Sequence, residues 1–406
     1  LFNRKGWEHI LNAHGGKLPI RIKAVPEGTV VPVDNVLMTV ENLGGKETKW
    51  LTNALESILL HVWYPTTVAT ISYDLKKFFL ECKAICSDDS FVDFMLHDFG
   101  YRGVSSSESA GAGGAAHLVS FKGTDTLPAM RFAIRNYKAN LNDLAFSVPA
   151  TEHSVMTSHG EDGELQLISD LIDRYPTGIL SVVCDSYSST RFVREYCRTL
   201  KDKILNRQPN GIGVCKFVVR PDSLRHNYDS PAEQMVDFTR ELEDIFGTTI
   251  NFKGYKVLHP KVGLLWGDGI DPKGIRSICT AVMDAGYSVD HLVFGMGGGL
   301  LQKVNRDTER FAFKCSAQER NGSWHKIQKR PLDVSKISKG GRMKLVKEQR
   351  YNPDTDTSTY EYKTITESHP LYHDMGPDIL ETVFLNGEIT KQYTFDEVRQ
   401  NATCKS

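Results

Sequence analysis

The first long amphipathic pattern runs from Trp50 to Trp63. Leu51, Ala54, Leu55, Ile58, Leu59 and Val62 share one face there, and Pro65 follows. That spacing predicts a helix, and the pattern resumes as helix from Thr67 to about Cys86. Before it, Ile20 to Val25 alternates as a strand does and stops at the turn Pro26-Glu27-Gly28. After Asp98 the rhythm changes. Short apolar runs recur at Leu180–Cys184, Phe217–Val219, Val262–Trp266 and Leu292–Phe294, each giving way to Gly, Asp, Arg or Ser. Helices stand between them. Ser230-Pro231-Ala232-Glu233 is a capping box with proline at the first helical position, and Gly247 fits the far end. Asp271-Pro272 opens another helix, which ends at Gly286, and Leu165, Ile168, Leu171 and Ile172 mark a third.

Strands alternating with helices predict an α/β fold with a parallel sheet, and an alternating β/α barrel fits best. Beyond Asn305, short β-like pieces return at Phe311–Cys315, Tyr360–Thr366 and Thr382–Leu385, around a polar segment from Lys336 to Arg342. The expected division is therefore 1–86 as the N-terminal part of a composite α+β domain, 87–303 as the barrel, and 304–406 as the C-terminal part of the composite domain.

Composition narrows the choice of partners. The 406 residues carry 49 Lys plus Arg against 50 Asp plus Glu, so no global charge draws the chain to nucleic acid or an anionic membrane. Any anion site must be local. Eight cysteines include no CxxC pair, and only Cys82 and Cys86 share a helical face, with no His pair at metal spacing. Free thiols in a reducing, cytoplasmic setting are expected. No apolar run approaches the roughly 20 residues of a membrane span. The chain begins at Leu1, and an N-terminal part is expected to precede it.

Four places offer chemistry. The stretch His97 to Thr126 joins Phe99, Tyr101 and Arg102 to Lys122 and Asp125 through a run of Ser, Gly and Ala. It reads either as a small-residue loop with solvated charges or as a platform for a flat polar ring beside an anion. The run Gly295-Met296-Gly297-Gly298-Gly299 follows a strand and precedes a helical pattern, with Arg306 beyond. It is either a tight turn or a phosphate cradle of backbone N–H groups, and it is neither a P-loop nor a dinucleotide fingerprint. Asp185, Asp222 and Asp268 stand at strand ends, where carboxylates cap helices or hold sugar hydroxyls and Mg²⁺-bound water. Arg220 ends an apolar strand, where an anionic ligand would compensate its charge. His153 has Glu152 beside it, and a lone histidine is otherwise most often structural.

Taken in order, KAVPEG (Lys23–Gly28), VLMTVEN (Val36–Asn42), WYPTTVAT (Trp63–Thr70), HDFGYRGVSS (His97–Ser106), FKGTDT (Phe121–Thr126), SVPATEHS (Ser147–Ser154), RPDS (Arg220–Ser223), GDG (Gly267–Gly269) and GGGLLQKVNRD (Gly297–Asp307) resemble the nicotinamide phosphoribosyltransferases. FKCS (Phe313–Ser316), SKGGR (Ser338–Arg342) and FDEVRQNA (Phe395–Ala402) extend the resemblance over nearly the whole chain. It implies a type II phosphoribosyltransferase fold, an irregular β/α barrel with a composite domain. It implies transfer of phosphoribose from phosphoribosyl pyrophosphate to nicotinamide, with Mg²⁺ needed, ATP coupling through a phosphohistidine, and a homodimer with shared active sites. The resemblance places Phe99 on the pyridine ring, Arg102 on the diphosphate and the amide carbonyl, and Asp125 on the amide NH₂. Arg220 and Asp222 fall to diphosphate and ribose, Gly267 and Asp268 to ribose hydroxyls, and Gly297, Gly298 and Arg306 to the 5′-phosphate. Ser147 and Ser181 join the substrate contacts. His153 matches the phosphorylated histidine, supported by Glu152 and Asp185, while Lys314, Lys336 and Ser338 are expected to assist with phosphate. A preceding segment is implied to carry a tyrosine that stacks over the base in the partner's site. Two alternatives remain: a sister enzyme that uses nicotinate, and a nucleotide-binding protein without turnover.

Overall fold

Six short strands build the sheet that carries the candidate site. They are β1 (Leu96–Asp98), β2 (Gly123–Thr124), β3 (Gly178–Val183), β4 (Cys215–Arg220), β5 (Val262–Trp266) and β6 (Leu292–Met296). All pair in parallel, in the order β2-β1-β6-β5-β4-β3. The computed structural model describes residues 2–332, 337–352, 357–370 and 372–403. The fold is α/β with a curled parallel sheet.

Both sheet edges meet one irregular segment. Phe146 bridges Gly123 at the β2 edge, and Ala150 bridges Ser181 at the β3 edge. The Phe146 N–H donates to Lys122 O at 2.8 Å, and the Ser181 N–H donates to Pro149 O at 3.0 Å. Residues 146–150 thus act as a broken seventh strand, interrupted at Pro149, which has no N–H to give a ladder. The sheet curls until one stretch serves both edges, the irregular barrel expected from the sequence.

Alternation sorts the strand residues. Phe217, Val219, Leu264, Trp266, Phe294 and Leu96 are fully buried, or nearly so, in a core shared with the surrounding helices. Register aligns Ser181 with Val218 and Gly263, and Gly295 with His97 and Gly123, on the opposite face. Three of these six are glycines, and each leaves room for a large neighbour. An added Cβ would lie 1.9 Å from Phe99 Cε2 at Gly295, 2.7 Å from His97 Nδ1 at Gly123, and 2.8 Å from Lys216 Cδ at Gly263. The barrel lumen is therefore filled by side chains that only glycine would admit.

Helices α1 (Trp63–Cys86), α2 (Ser107–His117), α3 (Leu127–Tyr137), α4 (Glu164–Arg174), α5 (Pro231–Phe246) and α6 (Pro272–Asp284) accompany this sheet. Pro65 lies in the first turn of α1, where its missing N–H costs nothing, so the helix passes through it. The Trp50–Trp63 pattern breaks instead into the short helices Leu51–Ala54 and Glu56–Leu59 and a 3₁₀ turn, Leu60–Val62. The Ser/Gly/Ala stretch is not a loop. It forms α2, capped by the Ser106 side chain on the Ser109 N–H, and its glycines admit Tyr64 and Ala129 at close range. The caps expected at Ser230 and Asp271 are both in place.

The chain divides into two compact units, residues 64–305 and residues 1–63 with 306–403. Helix α1 buries Val68, Leu75, Phe79, Cys82 and Cys86 in the core of the barrel unit, whereas the sequence reading placed it with the N-terminal domain. The other unit has a four-stranded antiparallel sheet in which Ile20–Ala24 lies between Met38–Asn42 and Glu381–Leu385, so both ends of the chain share one sheet. Two hairpins follow, Ala317–Arg320 with Ser323–Lys326 and Met343–Asn352 with Thr357–Thr366. Phe311–Cys315, expected as a strand, has none. No helix among the described residues is long and apolar enough to cross a membrane. The described cysteines are all free thiols, and Cys404 lies outside the described residues.

Candidate active site

Every strand of the curled sheet ends at the same mouth. From the end of β1, the turn Phe99–Arg102 lines an open pocket of about 380 Å³ with Asp125 and Thr126. Phe99 lies in the gap left by Gly295, and its backbone N–H donates to Met296 O at 3.1 Å. The Arg220 guanidinium, at the end of β4, stands 5.4 Å from the Phe99 ring centre. It also reaches Asp222 Oδ1 at 3.3 Å. Its charge is thus shared between an aromatic face and a carboxylate, and its buried Nε has no protein partner.

Asp125 is half exposed, with one oxygen occupied. Oδ1 accepts a hydrogen bond from the Ser147 hydroxyl and lies 3.1 Å from His97 Nε2. Burial pushes its carboxyl up, but the His97 contact, Ser147 and the Arg220 charge outweigh that and hold it below the usual carboxylate range. It is therefore an ionised acceptor at the pocket wall.

A second cluster adjoins Asp222. His153 opens the short helix His153–Thr157, and its Nε2 lies 3.1 Å from Asp185 Oδ1. Its Nδ1 faces Asp222 Oδ2 at 3.9 Å. The Ser223 hydroxyl donates to the other oxygen of Asp185. Asp185 is thus fixed from two sides and holds one imidazole nitrogen, leaving the other open toward Asp222. Glu152 accepts instead from the Ser154 hydroxyl and makes no hydrogen bond to His153.

The other expected residues are placed as follows. Ser181 is buried on β3, where its N–H and carbonyl are taken up by residues 149 and 151. Gly267 follows the end of β5, where an added Cβ would lie 3.5 Å from Phe99 Cε2 and 3.7 Å from Asp222 Oδ1. Asp268 is exposed beside it. Gly297 precedes the one-turn helix Gly298–Leu301, and Gly298 has open space where a side chain would be. Arg306 and Lys314 belong to the other unit, where Arg306 pairs with Asp307 at 2.8 Å and Lys314 is exposed. Lys336 lies outside the described residues. The sequence reading missed His97 and Ser223 as partners of Asp125 and Asp185. Strand alternation was the signal for His97, two residues before Phe99 on the same face.

Residues 94–373 match the nicotinate phosphoribosyltransferase (NAPRTase) family. The chain belongs to that family. This phosphoribosyltransferase is 42% identical over 408 residues to a nicotinamide phosphoribosyltransferase of Xanthomonas campestris, covering 99% of this chain and 82% of that protein. It is 35% identical over 410 residues to a nicotinamide phosphoribosyltransferase of Acinetobacter baylyi, covering 97% of this chain and 78% of that protein. Among solved structures, a nicotinate-nucleotide pyrophosphorylase from Pyrococcus furiosus shares the fold, with a TM-score of 0.54 at 14% identity over 95% of this chain and 80% of that one. The mouth brings together an aromatic wall at Phe99 and Tyr101 and the guanidinium groups of Arg102 and Arg220.

Proposed function

We propose that the chain transfers phosphoribose from phosphoribosyl pyrophosphate to the ring nitrogen of nicotinamide, releasing nicotinamide mononucleotide and pyrophosphate. The observation that carries this reading is Asp125, an ionised carboxylate on the wall that also holds Phe99 and Arg102. An amide offers it an N–H, whereas the carboxylate of nicotinate would meet like charge. The names of the two relatives above agree with this base.

In the proposed mechanism Phe99 stacks on the pyridine ring while Arg102 and Arg220 draw the diphosphate. Arg220 Nε, buried without a protein partner, fits an anionic acceptor. The anomeric carbon–oxygen bond breaks toward an oxocarbenium-like ribosyl centre, and its electron pair leaves with pyrophosphate. The nicotinamide nitrogen then donates its lone pair to that carbon. Fixed positive charge on the departing oxygens lowers the barrier. Asp222, Asp268 and Gly267 serve the ribose, and Gly297 with Gly298 the 5′-phosphate. Mg²⁺ bound by substrate phosphates needs only one or two protein carboxylates, which Asp222 and Asp268 fit, and it would neutralise charge on the leaving group.

ATP coupling is part of the proposal. Asp185 on Nε2 leaves His153 Nδ1 as the nucleophile. Its lone pair attacks the γ-phosphorus and ADP departs, and later hydrolysis returns phosphate. The His153→Ala variant is expected to keep basal transfer and lose ATP stimulation, measured as mononucleotide formed with and without ATP. Equal stimulation in the variant would sink the coupling role. The reading also makes the enzyme a cytoplasmic homodimer with shared sites.

The decisive assay supplies nicotinamide or nicotinate with phosphoribosyl pyrophosphate, Mg²⁺ and ATP and follows each mononucleotide. A preference for nicotinate overturns the choice of base. The Gly295→Ala variant is expected to raise KM for the base about tenfold or more, because the added methyl occupies the seat of the Phe99 ring. An unchanged KM would remove Phe99 from the base site.

A further inference from the structure

Asp98 ends β1 and is fully buried, yet no role in the reaction falls to it directly. Burial pushes its carboxyl up, and the Gly100 N–H is the largest of the influences that pull it down. Placing a carboxylate inside a fold is costly, so what it holds is informative. Its Oδ1 accepts the Gly100 N–H at 2.7 Å. Its Oδ2 accepts from the Thr124 hydroxyl at 3.3 Å. Its backbone carbonyl accepts the Asp125 N–H at 3.0 Å. One residue therefore touches both loops that form the pocket wall. Gly100 lies inside the turn that carries Phe99 and Arg102, and Thr124 immediately precedes Asp125.

The surroundings leave this carboxylate little freedom. An added Cβ on Gly114 of α2 would lie 3.2 Å from its Oδ2, and one on Gly100 would lie 3.0 Å from its Oδ1 and 2.6 Å from Leu301 Cδ1. The glycines of α2 thus bring the helix backbone against Asp98, which accounts for a small-residue run between the two ends of the site. The Tyr64 hydroxyl donates to Leu301 O at 2.9 Å and steadies the far side of the same turn.

We propose that Asp98 is a positioning residue for the base subsite, its side chain tying the turn that carries Phe99 and Arg102 to the loop that carries Asp125. This rests on the reading above that those three residues hold the base. Two hydrogen bonds from one rigid group set the spacing between the ring platform and the amide acceptor. Small misplacements of reacting groups cost large factors in rate or binding.

The test compares KM for nicotinamide with KM for phosphoribosyl pyrophosphate in Asp98→Ala, Asp98→Asn and Thr124→Val, with Tm recorded for each. Asp98→Ala is expected to raise KM for the base about tenfold or more and to move KM for phosphoribosyl pyrophosphate less than about threefold. Asp98→Asn keeps an oxygen for the Gly100 N–H and is expected to restore the base KM to within about threefold of the parent. Thr124→Val removes the link to Asp98, together with the acceptor of the Thr126 N–H at 3.0 Å, without emptying the Asp98 site and covers the case in which Asp98→Ala does not fold. Its base KM is expected to rise with little change in the other. Equal rises in both KM values, or a fall in kcat and Tm with the KM ratio unmoved, would overturn the proposal. A parent enzyme that turns over neither nicotinamide nor nicotinate would instead defeat the base reading, and this proposal with it.

Discussion

Replacing Asp125 by asparagine is expected to cost nicotinamide turnover about 10- to 100-fold in kcat/KM and to improve nicotinate, shifting the preference between the two bases by about a thousandfold. The first effect is the loss of a hydrogen bond to a charged acceptor, typically about 1.5–3 kcal/mol. The second is the removal of like charge opposite a carboxylate, and an asparagine amide can present its N–H to that carboxylate. Oδ1 of Asp125 is already engaged by Ser147 and faces His97, so the other oxygen is the one free for the substrate. The selector is thus a single acceptor atom with a fixed direction. Because its carboxyl is held below the usual carboxylate range, chiefly against burial by the His97 contact and Ser147, selectivity should persist on acidification past the point at which an ordinary aspartate protonates. Side-by-side kcat/KM values for the two bases check the prediction. An asparagine variant whose preference stays within about threefold of the parent would show that another group chooses the base.

Much of this candidate site is legible in the sequence, and the reasons differ by residue. Arg220, Asp222 and Gly267 stand just past short apolar runs, and alternation of strand and helix brings all such strand ends to one mouth. The Ser230 and Asp271 caps were legible because they depend only on neighbours in sequence. The two shortest strands were not. β1 and β2 span three and two residues, too few for any period to register. Helix α2 was hidden for a related reason: Ala110, Gly113 and Gly114 are buried by close backbone approach rather than by an apolar stripe, so the run lacks the pattern that marks a helix. The partner of Glu152 was misread because sequence adjacency to His153 says nothing about where a carboxylate turns, and Ser154 was the nearer donor. The closing strand at residues 146–150 is legible only in three dimensions, because each of its ends pairs with a different edge of the sheet.

Mild acid is expected to destabilise the barrel unit through two buried histidines. His117 and His291 are completely enclosed, and burial is the main cause that lowers each to about 3. In the unfolded chain both return to about 6.5. The unfolded state therefore binds more protons than the folded one below that value, and stability is complete above about pH 6.5 and falls as pH drops toward 3. Between about pH 7 and pH 5 each histidine should withdraw about 2 kcal/mol, a large part of an ordinary folding free energy. The carboxyl of Glu164, raised to about 7 chiefly by burial, titrates in the opposite sense and offsets part of the loss. Single variants remove that ambiguity. In His117 the Nε2 lies 3.1 Å from Gly123 O, which can only accept, so Nε2 carries the proton and Nδ1 accepts from Ser72 at 3.0 Å. His291 Nε2 lies 2.9 Å from the Thr239 hydroxyl. Urea unfolding of His117→Gln and His291→Gln at both pH values should show each variant losing about 2 kcal/mol less than the parent over the interval. Equal losses in parent and variants would mean that these imidazoles take up protons inside the fold. For His117 that would place a charge against the Gly123 carbonyl on β2, two residues from the acceptor that is proposed to choose the base.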